Sequence, residues 1–255
     1  PLVVMELKSP SRTETNVSEA YAQLRNYMQE IPSLFVYNAF CVMSDLVTSK
    51  AGTITSGEDR FMEWKTVDGQ AEDNHFANFH VLFCGMFEQE RLIEIIRDFI
   101  CFSKDEKQSA KILAGYHQFY AVRKAIASAR EATTTNGKGG VFWHTQGSGK
   151  SLSMVFFAKC LQRALSSPTI VVITDRTDLD NQLFGQFSKC ADFCTGQHRA
   201  VHITTFGLDL FVLFAELKQQ FGHCAAITIA VNHCGTGGEV NSFDTAQFKL
   251  SSRFF

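Results

Sequence analysis

"FWHTQGSGKSLSMVFFA", residues 142–158, is the stretch on which the reading of this chain turns. A hydrophobic run stops at His144. Thr145, Gln146, Gly147, Ser148 and Gly149 then form a loop of small and polar residues, and Lys150 with Ser151 opens a second hydrophobic run. Glycines let backbone N–H groups turn toward an anion, and the start of a helix adds its positive dipole end. The phosphate-loop pattern is Gly-x-x-x-x-Gly-Lys-Ser/Thr. Gly149, Lys150 and Ser151 fit it, with His144 at the first glycine position. In such a loop Lys150 reaches the β and γ phosphates of ATP, and the Ser151 hydroxyl ligates Mg2+. The plainer reading is a flexible turn that happens to contain Lys-Ser.

The surroundings favour the cradle. "VFWH" reads as a strand, "KSLSMVFFAKCLQRAL" as a helix and "TIVVITD" as a strand, with "DLDNQLFGQFSKC" as the next helix. That is a βαβ unit, so the expected class is α/β with a parallel sheet and a right-handed crossover. Asp175, Arg176, Thr177 and Asp178 follow a strand's carboxyl end, where ligands collect in parallel sheets. Thr177 or Asp178 would serve equally as a helix cap. Upstream, "KILAGYHQFYAVRKAIASAR" is helical in pattern and carries Gln118, whose amide can donate to and accept from an adenine edge.

The first part of the chain carries a second pattern. "LVVMELK" reads as a strand on which Glu6 and Lys8 share one face while Met5 and Leu7 share the other. A carboxylate and an ammonium so placed can hold Mg2+ and position water against a phosphodiester, although most such pairs merely decorate a surface. "SEAYAQLRNYMQEI" predicts a helix that puts Gln23 and Tyr27 one turn apart on one face. These two could steady metal-bound groups or DNA, or form an ordinary helix flank. "LFVYNAFCVMSD" reads as a strand, "AGTITSGEDR" as a loop and "ERLIEIIRDFICF" as a helix. The polar run "SKDEKQSA" reads as a linker, dividing the chain into residues 1–102 and 103–255.

Composition narrows the classes. The formal net charge of −2 leaves nucleic-acid contact to local patches. No apolar run is long enough to span a bilayer. Eight scattered cysteines predict reduced thiols and a cytoplasmic setting. The start at "PLVVMELK" has neither a starter methionine nor a signal peptide and reads as an excerpt of a longer protein. Cys190, Cys194, His198 and His202 recur every four residues, but Thr195 and Gly196 interrupt a helix there and the spacing is not a zinc pattern.

Taken together, "PLVVMELKSP", "QLRNY", "GTITSGEDRFMEWKT", "GYHQFYAVRKAI", "GGVFWHTQGSGKSLSM" and "VITDRTDLDNQLF" resemble the motor-endonuclease (R) subunit of type I restriction-modification enzymes. The resemblance implies a PD-(D/E)xK-type nuclease domain, partly present, followed by a RecA-like P-loop helicase domain, also partial. It gives Glu6, Lys8, Gln23 and Tyr27 to the nuclease, with Glu6 and Ser151 on metal, Gln118 on adenine, and residues 145–151 on the phosphates. The implied activity is ATP-driven translocation of double-stranded DNA and Mg2+-dependent cleavage, in company with methyltransferase (M) and specificity (S) subunits. Two departures stand out. The family's acidic metal ligand precedes the Glu-x-Lys strand, and its acidic ATPase strand falls near "TIAVNHCGTGG", where Val231 and Asn232 replace the acids. After residue 200 only "HITTF" is a faint echo, and a second RecA-like domain is not found. The rival expectations are a truncated or degenerate remnant that binds nucleotide or partner subunits without catalysis, and a P-loop ATPase unrelated to restriction.

Overall fold

The computed structural model describes residues 1–9, 17–70, 78–104, 109–135, 138–145, 147–165, 169–174, 183, 185–190, 203–204, 226–233 and 244–250. The chain divides into two compact units, Pro1–Tyr120 and Ala121–Phe255.

In the first unit, β1 (Val3–Leu7), β2 (Phe40–Ser44), β3 (Ser49–Gly52) and β4 (Met62–Glu63) form a sheet in that order. β1 and β2 are parallel and the other pairs antiparallel. The parallel pair is joined through α1 (Val17–Glu30), as parallel strands need a crossover. Ala20 and Leu24, one turn apart, are fully buried against Val4, Cys41, Met43, Phe35 and Phe61. Pro32 then opens a short 3-10 turn, Pro32–Phe35. The strand expected over "LFVYNAFCVMSD" is therefore shorter: it starts at Phe40, after Asn38 donates from Nδ2 to the Phe40 carbonyl at 2.8 Å.

The opposite face is covered by aromatic packing. α2 (Asn78–Met86) and α3 (Gln89–Asp98) follow, and Phe87 between them meets Phe40 at a ring distance of 5.8 Å. α3 starts on a side-chain cap, with the Glu88 carboxylate accepting from the Glu90 and Arg91 amides at 3.1 and 2.9 Å. Gly85 is where α2 passes Trp64: a Cβ there would lie 2.3 Å from the indole Cδ1. The two ends of the expected linker, residues 103–104 and 109–110, are strand residues: β5 (Ile100–Lys104) pairs antiparallel with β6 (Ser109–Leu113), while residues 105–108 lie outside the described residues. Part of "KILAG", expected as helix, is the second strand of that pair. α4 (Tyr116–Thr134) begins only after Gly115, whose amide donates to Gln118 Oε1 at 3.0 Å. This is the half of a capping box in which the third helical residue reaches back.

In the second unit, β7 (Lys138–Trp143), α5 (Lys150–Ala164), β8 (Thr169–Thr174), β9 (Ile203–Thr204), β10 (Ala226–His233) and β11 (Asp244–Leu250) form a mixed α/β layer structure. The sheet order is β7-β11-β10-β8-β9. β8 lies parallel to both β9 and β10, while β11 runs against β7 and β10. β7, β8, β9 and β10 therefore share one direction, and the sheet is mixed where a parallel one was expected, through the single reversed strand β11. α5 is buried nearly all round, through Met154, Val155, Phe156, Phe157 and Leu161. Together with Val122 and Ala125 of α4 and Phe142 of β7, it lines a small apolar cavity. Residues 185–189 are helical, in line with the helix expected after β8.

Candidate functional site: a strand–loop–helix cradle and a charged sheet face

Register fixes which end of the second sheet carries the loop. Phe142, Ala246, Val231, Thr174 and Thr204 pair in one row, and Trp143, Thr245 and Asn232 in the next. The carboxyl ends of β7, β8, β9 and β10 therefore share one edge. At that edge β7 gives way to residues 144–149 and α5 begins. Gly147 and Gly149 adopt φ of 81° and 78°, left-handed values that favour glycine. A Cβ on Gly147 would meet nothing within 4 Å, so only its backbone conformation calls for glycine.

Lys150 is the first residue of α5 and is half-buried. Its Nζ donates to the carbonyl oxygens of His144 at 3.0 Å and Thr145 at 3.2 Å. The Ser148 amide donates to the Thr145 carbonyl at 3.3 Å. The loop is thus closed on its own lysine. Ser151, half-buried in the first turn of α5, carries its hydroxyl where helix amides lack intrahelical acceptors. A hydroxyl at that place is a hard oxygen donor suited to Mg2+. Thr145 is exposed, and Gln146 lies outside the described residues, as do residues 175–178, Cys194, His198 and His202. Cys190 is buried, and no group of three or more metal-ligating side chains occurs among the described residues.

Gln118 belongs to the first unit. It is buried, and its Oε1 is engaged by the Gly115 amide, so its carbonyl serves the start of α4.

The Glu-x-Lys strand behaves as alternation requires. Glu6 Oε1 and Lys8 Nζ form an ion pair at 3.0 Å, with side chains 15% and 21% exposed. The pairs Val4–Cys41 and Glu6–Met43 put these charges on the face that α1 covers. Tyr27 packs against the same cluster, and Gln23 is half-buried one turn before it. A carboxylate beside an ammonium on a half-buried face can bind a divalent cation and a phosphate together.

The motif "GTITSGED" is a clasp. Tyr21 OH donates to the Ser56 carbonyl at 3.2 Å and Arg25 to the Ile54 carbonyl at 3.0 Å, while Ser18 donates to Glu58. From its other side, Thr53 and Thr55 donate to the Lys111 carbonyl at 2.6 and 3.0 Å. It holds α1, and so Gln23 and Tyr27, in place over the sheet.

One cluster was not foreseen in the sequence. Cys41, fully buried, donates to Asn38 Oδ1 at 3.6 Å, and Lys111 Nζ donates to the Asn38 carbonyl. Burial pushes the Cys41 thiol up to about 12 against the pull of Lys111 and Asn38, and burial lowers Lys111. Cys41 is therefore a protonated core thiol at neutral pH, not a nucleophile. Residues so far apart in the chain leave no local signal of this contact.

Comparison with known proteins agrees with the two patterns. Residues 1–60 match the family model of the type I restriction enzyme R protein N terminus, and residues 117–219 match the SWI2/SNF2 ATPase model. The type I restriction enzyme HindI endonuclease subunit of Haemophilus influenzae is 43% identical over 203 residues, covering 75% of this chain and 19% of that protein. The chain belongs to the type I restriction enzyme R-subunit family. The MjaIXP endonuclease subunit of Methanocaldococcus jannaschii is 34% identical over 74% of this chain and 20% of its own length. The SauCOLORF180P endonuclease subunit of Staphylococcus aureus is 26% identical, again over 75% of this chain and 20% of its own length. The chain thus spans about a fifth of the length of these R-subunit relatives. Among the described residues no helix is long and apolar enough to cross a membrane.

Proposed function

We propose that this chain carries the nuclease and first ATP-binding parts of a type I restriction endonuclease subunit. Residues 1–102 would form a PD-(D/E)xK-type nuclease domain and residues 103–255 a first RecA-like translocase domain. The whole protein would translocate double-stranded DNA at the expense of ATP and cleave it with Mg2+, working with M and S subunits. The observation that carries the reading is the left-handed Gly149 capping α5 with Lys150 at its first position, at the carboxyl edge of the sheet. This is the arrangement that presents helix amides and an ammonium to phosphates.

In this reading Lys150 leaves the carbonyls of His144 and Thr145 and takes the β and γ phosphates. Residues 145–149 wrap the phosphate chain and Ser151 supplies a metal ligand. At the other site Glu6 contributes a metal ligand and Lys8 holds the scissile phosphate, with Gln23 and Tyr27 supporting them from α1. Mg2+ would supply charge neutralisation at both. The test is cleavage of duplex DNA by the full subunit assembled with M and S subunits. Glu6→Gln should abolish cutting while sparing ATP hydrolysis, and Lys150→Ala should abolish both. Cutting that survives Glu6→Gln would refute the nuclease assignment.

A second reading has its own observation. β10 lies beside β8, with Val231 opposite Thr174 and Asn232 opposite Thr245, at the edge that carries the loop. The family's strand has acids there to ligate metal and activate water. With Val231 and Asn232 instead, the chain would hold ATP without turning it over. Measured ATPase activity in this chain at levels above a Lys150→Ala control would contradict this.

A further inference from the structure

The register of the first sheet places a second cation, Lys50, on the Glu6–Lys8 face. Glu6 pairs with Met43, Met43 with Lys50, and Lys50 with Glu63. Cross-strand partners project to the same side of a sheet. Met43 is buried under α1, so the row Glu6, Met43, Lys50, Glu63 faces α1 throughout. Glu6, Lys50 and Glu63 are each half-buried.

Their partnering differs. Glu6 is satisfied by Lys8. Lys50 makes no side-chain hydrogen bond or ion pair among the described residues, although Glu63 stands directly opposite it. Directly opposed charges of opposite sign on adjacent strands ordinarily attract, so an unpaired ammonium here is a group without its expected partner. Ammonium groups lose hydration when half-buried, and an anion that restores a partner gains from it.

Strands lie about 4.8 Å apart, which sets Lys50 roughly 10 Å from Glu6 across the sheet. That is too far for Lys8 and Lys50 to share one phosphate oxygen, and it suits two phosphates of one DNA strand. We propose that Lys50 is a DNA-backbone contact of the nuclease face, holding a phosphate next to the one at Glu6 and Lys8. This rests on the nuclease reading above. Glu63, beside it, competes for the ammonium and repels the phosphate, and so limits how tightly DNA is held.

Duplex binding by the full 255-residue chain, measured by fluorescence anisotropy over a range of KCl concentrations, tests this. Each phosphate contact contributes about 0.9 to the slope of log affinity against log salt. Lys50→Gln should weaken binding several-fold at low salt and flatten the slope by about 0.9, with the circular dichroism spectrum unchanged, while Lys50→Arg keeps the slope. Glu63→Gln should tighten binding at low salt, a readout that stands even if Lys50→Gln fails to fold. Lys104→Gln, an exposed lysine of β5, should leave the slope alone. If the unsubstituted chain binds duplex and Lys50→Gln leaves its slope intact, Lys50 is not a phosphate contact and the nuclease reading survives. Lys50 is equally ruled out if Lys104→Gln flattens the slope as much, or if Glu63→Gln has no effect. If the unsubstituted chain does not bind duplex at low salt, both readings fall.

Discussion

Lys150 Nζ rests 3.0 Å from the carbonyl oxygen of His144, the residue that stands at the first glycine position of the phosphate-loop pattern. The loop therefore holds its own cation before any anion arrives. In the proposed binding mode phosphate oxygens would replace the two carbonyl acceptors, adding the Coulombic attraction of an anion that a neutral carbonyl lacks. That gain would grow with the ligand's negative charge, which favours a triphosphate over neutral nucleosides.

Gly147→Ala isolates backbone strain from packing, because nothing lies within 4 Å of the added methyl. A left-handed conformation costs a non-glycine residue about 1–2 kcal/mol. Thermal unfolding should show a small drop in midpoint, and ATP-analogue affinity should fall several-fold. A midpoint and affinity both equal to the parent's would mean that the loop is not held in this conformation.

Gly85→Ala should be worse for a different reason. The new methyl would lie 2.3 Å from Trp64 Cδ1 and 2.9 Å from the Thr66 carbonyl oxygen, and backbone cannot yield cheaply. Overpacking of this kind costs typically about 1–3 kcal/mol. Urea denaturation would read it as a lower transition midpoint in the first unit.

Cys41 gives a pH signature. Its thiol titrates near 12 in the folded chain against 9.0 for the free group, because it is buried. The folded state keeps a proton that the unfolded state releases, so this stabilisation is complete below pH 9.0 and is lost as pH rises toward 12. Lys111 works in the opposite sense: burial lowers it, and its penalty is relieved as pH rises through its folded value. Comparing Cys41→Ala with the parent, the parent should lose more stability between pH 9 and 11; parallel curves would contradict the assignment.

Local chemistry was readable where a few adjacent residues dictate it. The glycines, Lys150 and the apolar run after them specify a turn into a helix, and alternation in "VVMELK" puts Glu6 and Lys8 on one face. What could not be read depends on distant partners. β3 is four residues long and is defined by its pairing to β2 and by Phe61 filling the space over Gly52. "KIL" has a helical pattern but is claimed by β5, and Gly115 with Gln118 starts the helix only afterwards. The reversed strand β11 pairs with its near neighbour β10 on one side, but on the other with β7, about a hundred residues earlier along the chain, which no periodicity reveals. Lys50 is the same kind of case, ordinary in sequence and notable only once register puts it in line with Glu6.

The most direct test of the central claim is calorimetric titration of the purified chain and its Lys150→Ala variant with a non-hydrolysable ATP analogue in Mg2+. Saturable binding by the parent, weakened by about 10–100-fold or more in the variant, is the expected result for losing a charged hydrogen-bonding group to phosphate. Equal affinity in the two proteins would contradict the cradle and everything built on it.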